Sequence, residues 1–341
     1  MGHPFPLKDI ARQAGVGLAT VDRVMNRRPG VRACTEQRIR QAIDELSRQT
    51  LEATVAGRRF VIDLVMDAPD RFSRAVQAAL EAELPALLPM AFRIRAHLME
   101  TANAKELAAT LHRVVRTGSH GVILKAPDLP PIGAAIRALA SARIPTVTLV
   151  TDVPDSRRLL YVGMDNFAAG QTAAWLIANR LGPDAQEAVL VALSSHCFLG
   201  EEQREAGFRD ALAQLAPQLQ IVAIAEGRGM DRATESLTRA MLEQRSDITA
   251  VYSIGGGNRA IANAFRKAVR PCHIFIGHDL DVDNRSLLIE GVVSAVLHHD
   301  LRGDMRLACR AILQVHQVLP KTLPMPLSAV GIVTPFNLPV I

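Results

Sequence analysis

L7-K-D-I-A-R-Q-A-G-V-G-L-A-T-V-D-R-V-M-N26 is the stretch whose reading decides the fold, and it continues through Arg27–Leu46. Ile10, Ala11 and Ala14 share one helical face, and Gly15 can end that helix in a left-handed conformation at little cost. After a turn at Val16, Thr20, Val21, Val24 and Met25 carry a second short helix with Val21, Val24 and Met25 directed inward. A third helix follows Thr35, where Ile39, Ala42, Ile43 and Leu46 recur at i, i+3, i+4 and i+7. Three apolar stripes close a miniature core and leave the outer face of the second helix free. That pattern is a helix-turn-helix, and it predicts a helix for the major groove of DNA.

The charge distribution agrees. Residues 1–60 hold eleven Lys and Arg against six Asp and Glu, and the other 281 residues are balanced, so the net +5 of the 341-residue chain sits in its first sixth. Charge confined to one small domain points to a polyanion. With 49% hydrophobic and 4% aromatic residues, the rest of the chain can bury a large, mainly aliphatic core. No stretch reads as a secretory signal and no apolar run is long enough to cross a membrane, which leads to a cytoplasmic expectation. Cys34, Cys197, Cys272 and Cys309 are scattered without metal-ligand spacing and read as free thiols.

Beyond residue 60 the pattern alternates strand and helix. Apolar runs at Phe60–Met66, Gly121–Leu124, Thr146–Val150, Ala188–Leu193, Thr249–Ile254, Ile274–Gly277 and Val292–Leu297 predict buried parallel strands. Helical stretches at Ser73–Leu87, Leu107–Thr117, Ala168–Leu181, Glu202–Leu215 and Ala233–Glu243 separate them. The expected fold class is a small all-α helix-turn-helix head followed by a two-lobed, doubly wound α/β body, with ligand held at strand carboxyl ends. The expected domains are a head at 1–49, a hinge at 50–59 and a body at 60–341. Within the body the lobes fall at about 60–165 and 166–295, and the C-terminal segment crosses back.

Together these features resemble the LacI/GalR family of transcription regulators, whose body is similar to periplasmic sugar-binding proteins. The likeness runs along nearly the whole chain. Its most specific element is L-K-D-I-A-x-x-A-G-V-x-x-A-T-V-x-R-V-x-N at Leu7–Asn26. Ile144–Pro145, Gly163–Gly170, Arg204–Phe208 and Gly277–His278–Asp279 follow in the right order. The resemblance implies that Leu18, Ala19 and Arg23 read bases. Leu18 and Ala19 offer only apolar contact, for example to a thymine methyl, and Arg23 is the candidate for guanine. Thr20, Asn26, Arg27, Arg28 and Arg32 suit phosphates. Asp22 replaces the family's usual Ser and is expected to face Arg23 or Arg27. Val55 matches the apolar side chain that relatives insert into the minor groove from a hinge helix, but the usual P-N-x-x-A-R lead-in is absent. A wedging hinge helix and an unwound linker are both open.

For the body, the resemblance implies a small polar effector, a sugar, polyol or sugar derivative, gripped by Asp67, Phe72, Asp128, Thr151 or Asp152, Arg204, Asp279 and His299. Relatives commonly carry an Asn-Asp pair after the strand matching Thr249–Ile254, where this chain has Gly255–Gly256–Gly257–Asn258. Either Asn258 takes over the contact or backbone amides at the next helix start receive the ligand, and a tight turn needing positive φ explains the glycines without any ligand. The run lacks a P-loop Lys-Ser/Thr and G-x-G-x-x-G spacing. Ser195–His196–Cys197 and His298–His299–Asp300 lack the spacing of a catalytic set or a metal site. The expectation is therefore a regulator that is not an enzyme and needs no cofactor or metal. It would bind a pseudopalindromic operator in double-stranded DNA as a homodimer and act as a repressor by family habit. A solute receptor without DNA regulation and a sugar-handling enzyme are the alternatives.

Overall fold

The computed structural model describes residues 5–55, 58–87, 90–320 and 326–339. Residues through Arg59 and the bulk of the chain from Phe60 onward form two compact units. In the first unit, α1 (Leu7–Ala14), α2 (Leu18–Met25) and α3 (Ala33–Val55) enclose Ile10, Ala14, Val21, Ile39 and Ala42, with Val24, Met25, Ile43 and Leu46 packed at the edge. Gly15 ends α1 at φ 61°. Helix α3 spans 23 residues and starts before Thr35. It continues through residues 50–55, which the sequence assigns to a hinge. Ala56 and Gly57, and the side chain of Val55, lie outside the described residues.

The body holds two sheets. The first runs β2-β1-β3-β4-β5, from β1 (Arg59–Asp67), β2 (Ala91–Met99), β3 (Gly121–Lys125), β4 (Thr146–Leu149) and β5 (Leu160–Val162). The second runs β11-β10-β9-β8-β6-β7, from β6 (Ala188–Ala192), β7 (Gln220–Ile224), β8 (Ile248–Ser253), β9 (Ile274–His278), β10 (Ala295–His298) and β11 (Gly331–Val333). Its pairs are parallel except β10 with β11. All seven expected strands form. The four that the apolar runs missed, β2, β5, β7 and β11, are the sheet edges. Edge strands are covered on fewer sides, so β2 alternates apolar residues with Arg93, Arg95 and His97 instead of reading as a continuous apolar run.

The helices of the body are α4 (Asp70–Glu83), α5 (Ala104–Thr117), α6 (Pro130–Ser141), α7 (Asn166–Leu181), α8 (Leu199–Leu215), α9 (Asp231–Gln244), α10 (Asn258–Lys267), α11 (Val282–Ile289) and α12 (Leu301–Val315). After β10 the chain returns to the first lobe, where α12 packs on α4, β4 and β5. The buried Glu83 carboxylate accepts from Arg302 and Arg306 at 2.7 Å each, fastening α12 to α4. The chain then crosses again to lay β11 beside β10.

Two devices fix the elements near the cleft. Gly170 on α7 and Gly207 on α8 let the helix backbones meet: a Cβ on Gly170 would stand 2.0 Å from the Arg204 carbonyl, and one on Gly207 would stand 2.1 Å from that of Phe167. The second device is a buried polar chain at the crossovers. Ser328 donates its amide to the Gly163 carbonyl (2.9 Å) and its hydroxyl to Asp304, which also bonds His299. The other ring nitrogen of His299 lies 3.6 Å from Asp279. Burial opposes the imidazolium, but the two carboxylates win and push the His299 pKa up to about 9.

Gly170→Val should destabilise the body by about 1–3 kcal/mol or more, because overpacking here meets backbone rather than a side chain. Gly133→Ala, whose added methyl meets no atom nearer than 3.4 Å, should be neutral or gain about 0.5–1 kcal/mol from helix propensity. Urea unfolding of both variants checks the contrast. Because the His299 proton is bound more tightly in the folded chain, its stabilisation is full below the ordinary pKa of 6.5 and is lost as pH rises through about 9. The thermal midpoint should therefore fall across that window, and fall less in His299→Gln.

Candidate functional site

In the head, burial of Val21 turns the opposite face of α2 outward. Leu18 is 54% exposed, and Ala19 and Arg23 are exposed beside it, with Thr20 half-buried. Arg27 takes φ 52° and reverses the chain, so the Arg28 amide donates back to the Arg23 carbonyl at 2.7 Å. That reversal corrects the expected partner of Asp22. Its carboxylate accepts from Asn26 Nδ2 (2.8 Å) and pairs with Arg28 (3.2 Å), not with Arg23 or Arg27. Asn26 and Arg28 are thus already engaged within the head, whereas Arg23, Arg27 and Arg32 are exposed.

In the body, strand ends and helix starts of both lobes converge on one cleft. Phe72, Arg204, Asn258 and Asp279 line it, as does Thr151. The remaining expected residues do not. Asp152 is held by Arg158 and accepts from Thr148 (2.6 Å) and the Val153 amide (2.8 Å), so its neighbour Thr151 faces the cleft and receives the Gly200 amide at 3.0 Å. Asp128 is exposed outside the lining, with its amide bonded to the Cys197 carbonyl at 2.9 Å. Asp67 is 1% exposed, and Arg228 Nη2 donates to both its oxygens at 2.9 Å. Burial pushes the Asp67 carboxyl up, with Arg228 and Lys125 opposing. His299 sits behind Asp279 rather than in the lining. Ser195 Oγ is directed to Glu226 and Cys197, both at 3.1 Å, and not to His196.

Arg204 is 2% exposed in the second lobe. Its Nε donates to Asn166 Oδ1 (2.8 Å) and Nη1 to the Ile254 carbonyl (3.4 Å), while Nη2 has no protein partner. Asn258 Nδ2 donates to Asn284 Oδ1 at 2.7 Å, and its own Oδ1 is buried and unbonded. His278 Nδ1 is in the same condition, whereas Asp279 Oδ1 and His299 Nε2 face each other at 3.6 Å. Burial would raise the Asp279 carboxyl, but His299 and Arg204 hold it well below the usual range. Burial and then Arg204 keep His278 neutral, pushing its pKa well down. The floor therefore carries both donors and acceptors in want of partners, the requirement that a hydroxyl group meets.

The sequence pattern did not single out Arg71, Lys125, Phe198, Glu201 or Asp281, all of which line the cleft. Lys125 had a visible signal, a lone charge closing the apolar run Gly121–Leu124. It is 9% exposed, lies 4.0 Å over the Phe198 ring and donates to the Asp67 carbonyl at 3.1 Å, and burial pushes its pKa down. Gly256 and Gly257 adopt φ 85° and 76°, so the glycine run is the tight turn weighed above, and it delivers Asn258 to the cleft as the first residue of α10.

A family profile described as the lacI family of bacterial regulatory proteins matches residues 6–48, and one described as a periplasmic binding protein domain matches residues 64–317. A search of curated proteins finds no match. Similar solved structures include GanP, a glucose-galactose binding protein from Geobacillus stearothermophilus, at 22% identity and TM-score 0.71, covering 83% of this chain and 100% of that one. A sugar-binding protein of a sugar ABC transporter from Bacillus halodurans has 22% identity and TM-score 0.68, with 82% and 98% covered. A chain from Bacteroides fragilis described as a candidate LacI transcriptional regulator has 17% identity and TM-score 0.67, with 82% and 97% covered. These likenesses establish a shared fold. Among the described residues no helix is long and apolar enough to cross a membrane. With a lacI-family head joined to a binding-protein body that accounts for most of its length, the chain belongs to the periplasmic binding protein domain family and is a ligand-controlled, DNA-binding regulator of the LacI/GalR type.

Proposed function

We propose that this regulator is a repressor that binds a pseudopalindromic operator as a homodimer and responds to a sugar, polyol or sugar derivative held between its lobes. The observation that carries the effector reading is the set of buried, unbonded polar atoms on Arg204, Asn258 and His278, beside the ionised Asp279, around one cleft. A ring of vicinal hydroxyls can donate to Asn258 and Asp279 while accepting from Arg204. Phe72 supplies an apolar wall for the carbon skeleton. That similar folds include proteins named for glucose, galactose and other sugars supports the same class.

At the DNA, Leu18, Ala19 and Arg23 read bases and Thr20, Arg27 and Arg32 meet phosphates, with Asn26 and Arg28 contributing through their bonded positions beside Asp22. Val55 is the minor-groove wedge of this reading. An eight-residue α2 spans too few base pairs for a unique site, which is the reason for two heads on two half-sites. The effector acts by binding one arrangement of the lobes more tightly than another, the only way a ligand can shift such an equilibrium.

Fluorescence anisotropy on DNA from upstream of the protein's own gene, against shuffled DNA near physiological salt, tests the reading. A preference for the upstream fragment that a sugar or polyol abolishes is the expected outcome. Equal binding to both fragments, with no compound altering it, would reject it. Arg23→Ala should lose about 1–3 kcal/mol of discrimination at one base position, measured by titration against operators substituted base by base. Asn258→Ala should weaken effector binding by about 1–3 kcal/mol, the cost of removing a partner from a buried donor or acceptor, measured by calorimetry with the compound that releases DNA.

A further inference from the structure

Five side chains beside the cleft join the two lobes directly. Asp67, at the end of β1 in the first lobe, receives both its hydrogen bonds from Arg228 of the second lobe at 2.9 Å. Arg71, the second residue of α4 in the first lobe, reaches the other way. Its Nη2 donates to the Gly229 carbonyl at 2.8 Å, its Nε lies 3.2 Å from Asp281, and its Nη1 lies 3.8 Å from Asp231. Each lobe thus offers a cation to the other lobe's acceptors. Arg71 is 20% exposed and Arg228 24%, so both pairs are shielded from solvent far more than a surface ion pair.

The second-lobe backbone is shaped for this contact. Between β7 and α9, Glu226 and Arg228 hold φ of 65° and 54°, conformations that L-residues seldom adopt, with Gly229 at 65° beside them. The turn is bare where the first lobe approaches. A Cβ on Gly229 would stand 2.7 Å from the Gly255 carbonyl and 3.1 Å from Pro69 Cγ, and one on Gly256 would stand 3.2 Å from Arg71 Nη2. Gly229 and Gly256 therefore do more than turn the chain. They leave a seat into which Pro69 and Arg71 of the opposite lobe fit.

We propose that Asp67, Arg71 and Arg228, seated on the glycine-lined turns at 227–229 and 255–257, form an ion-pair clasp that holds the lobes together and positions the cleft for its effector. Asp67 and Arg228 are positioning residues outside the cleft lining, and Arg71 is both clasp and wall. Closure is then carried in part by the protein itself, and the effector need supply only the remainder. The inference deepens the interlobe reading above but concerns lobe-to-lobe contacts, so it can be tested with no effector present.

Hydrogen exchange by mass spectrometry on the full-length protein, without added ligand, compares wild type, Asp67→Asn, Arg228→Gln and the double variant. Exchange is read at the cleft-lining amides of residues 150–151 and 255–258, which neither substitution touches. The expected result is acceleration of roughly tenfold or more at both segments in each single variant, with the double variant no faster than either single one, as for two ends of one interaction. Arg228→Lys, which keeps the charge but not the geometry, should fall between wild type and Arg228→Gln. Wild-type exchange at both segments in the single variants would overturn the proposal, as would acceleration confined to residues 66–70 and 226–230. Additive acceleration in the double variant would also overturn it. Each of these outcomes leaves the effector reading standing, because that reading fails only in the DNA-release assay.

Discussion

A guanidinium taken almost wholly out of water is the constraint on which the body turns. Burial of the Arg204 guanidinium must be answered by fixed acceptors. Asn166 and the Ile254 carbonyl answer two of its nitrogens and leave the third for the cleft. Those acceptors come from the start of α7 and the end of β8, and Asn166 reaches Arg204 where α7 and α8 touch backbone to backbone at Gly170 and Gly207. Two short motifs that look unrelated along the chain are therefore halves of one packing contact. Asn166 also donates to the Val150 carbonyl at the end of β4 (3.2 Å), which ties the same group to the first lobe.

The charges around the cleft are arranged in linked pairs. Arg204 and His299 keep Asp279 ionised against the pull of burial. Asp304 shares His299 and anchors Ser328 on the last crossover. A group that meets Asp279 from the cleft thus meets one end of a polar chain whose other end lies among the connections between lobes. The low local dielectric makes each bond in that chain stronger and each missing partner costlier.

How much of this was legible in the sequence depended on how local the cause was. The head could be read almost completely because Ile10, Val21, Ile39 and their neighbours close a core within forty residues. The buried strands showed themselves as apolar runs, whereas β2 and β7, exposed at sheet edges, carried no such signature. Asp67 lies at the end of its strand as the apolar run implies, but its bond to Arg228, 161 residues further on, is announced by nothing in either segment. Asp152 was lost to Arg158, six residues away, through a loop geometry that spacing alone does not specify. Arg204, Asn258 and Asp279 are cleft residues because the order of elements, more than their identity, put them at strand ends and helix starts.

The Asp22–Arg28 pair alters what the head's formal charge means. Binding to DNA is driven in large part by the release of condensed counterions, about 0.9 per phosphate neutralised. A guanidinium that already faces its own carboxylate at 3.2 Å, with Asn26 bonded to the same group, displaces fewer ions than a free one. The head therefore owes less of its grip to salt-sensitive attraction than its excess of arginine suggests.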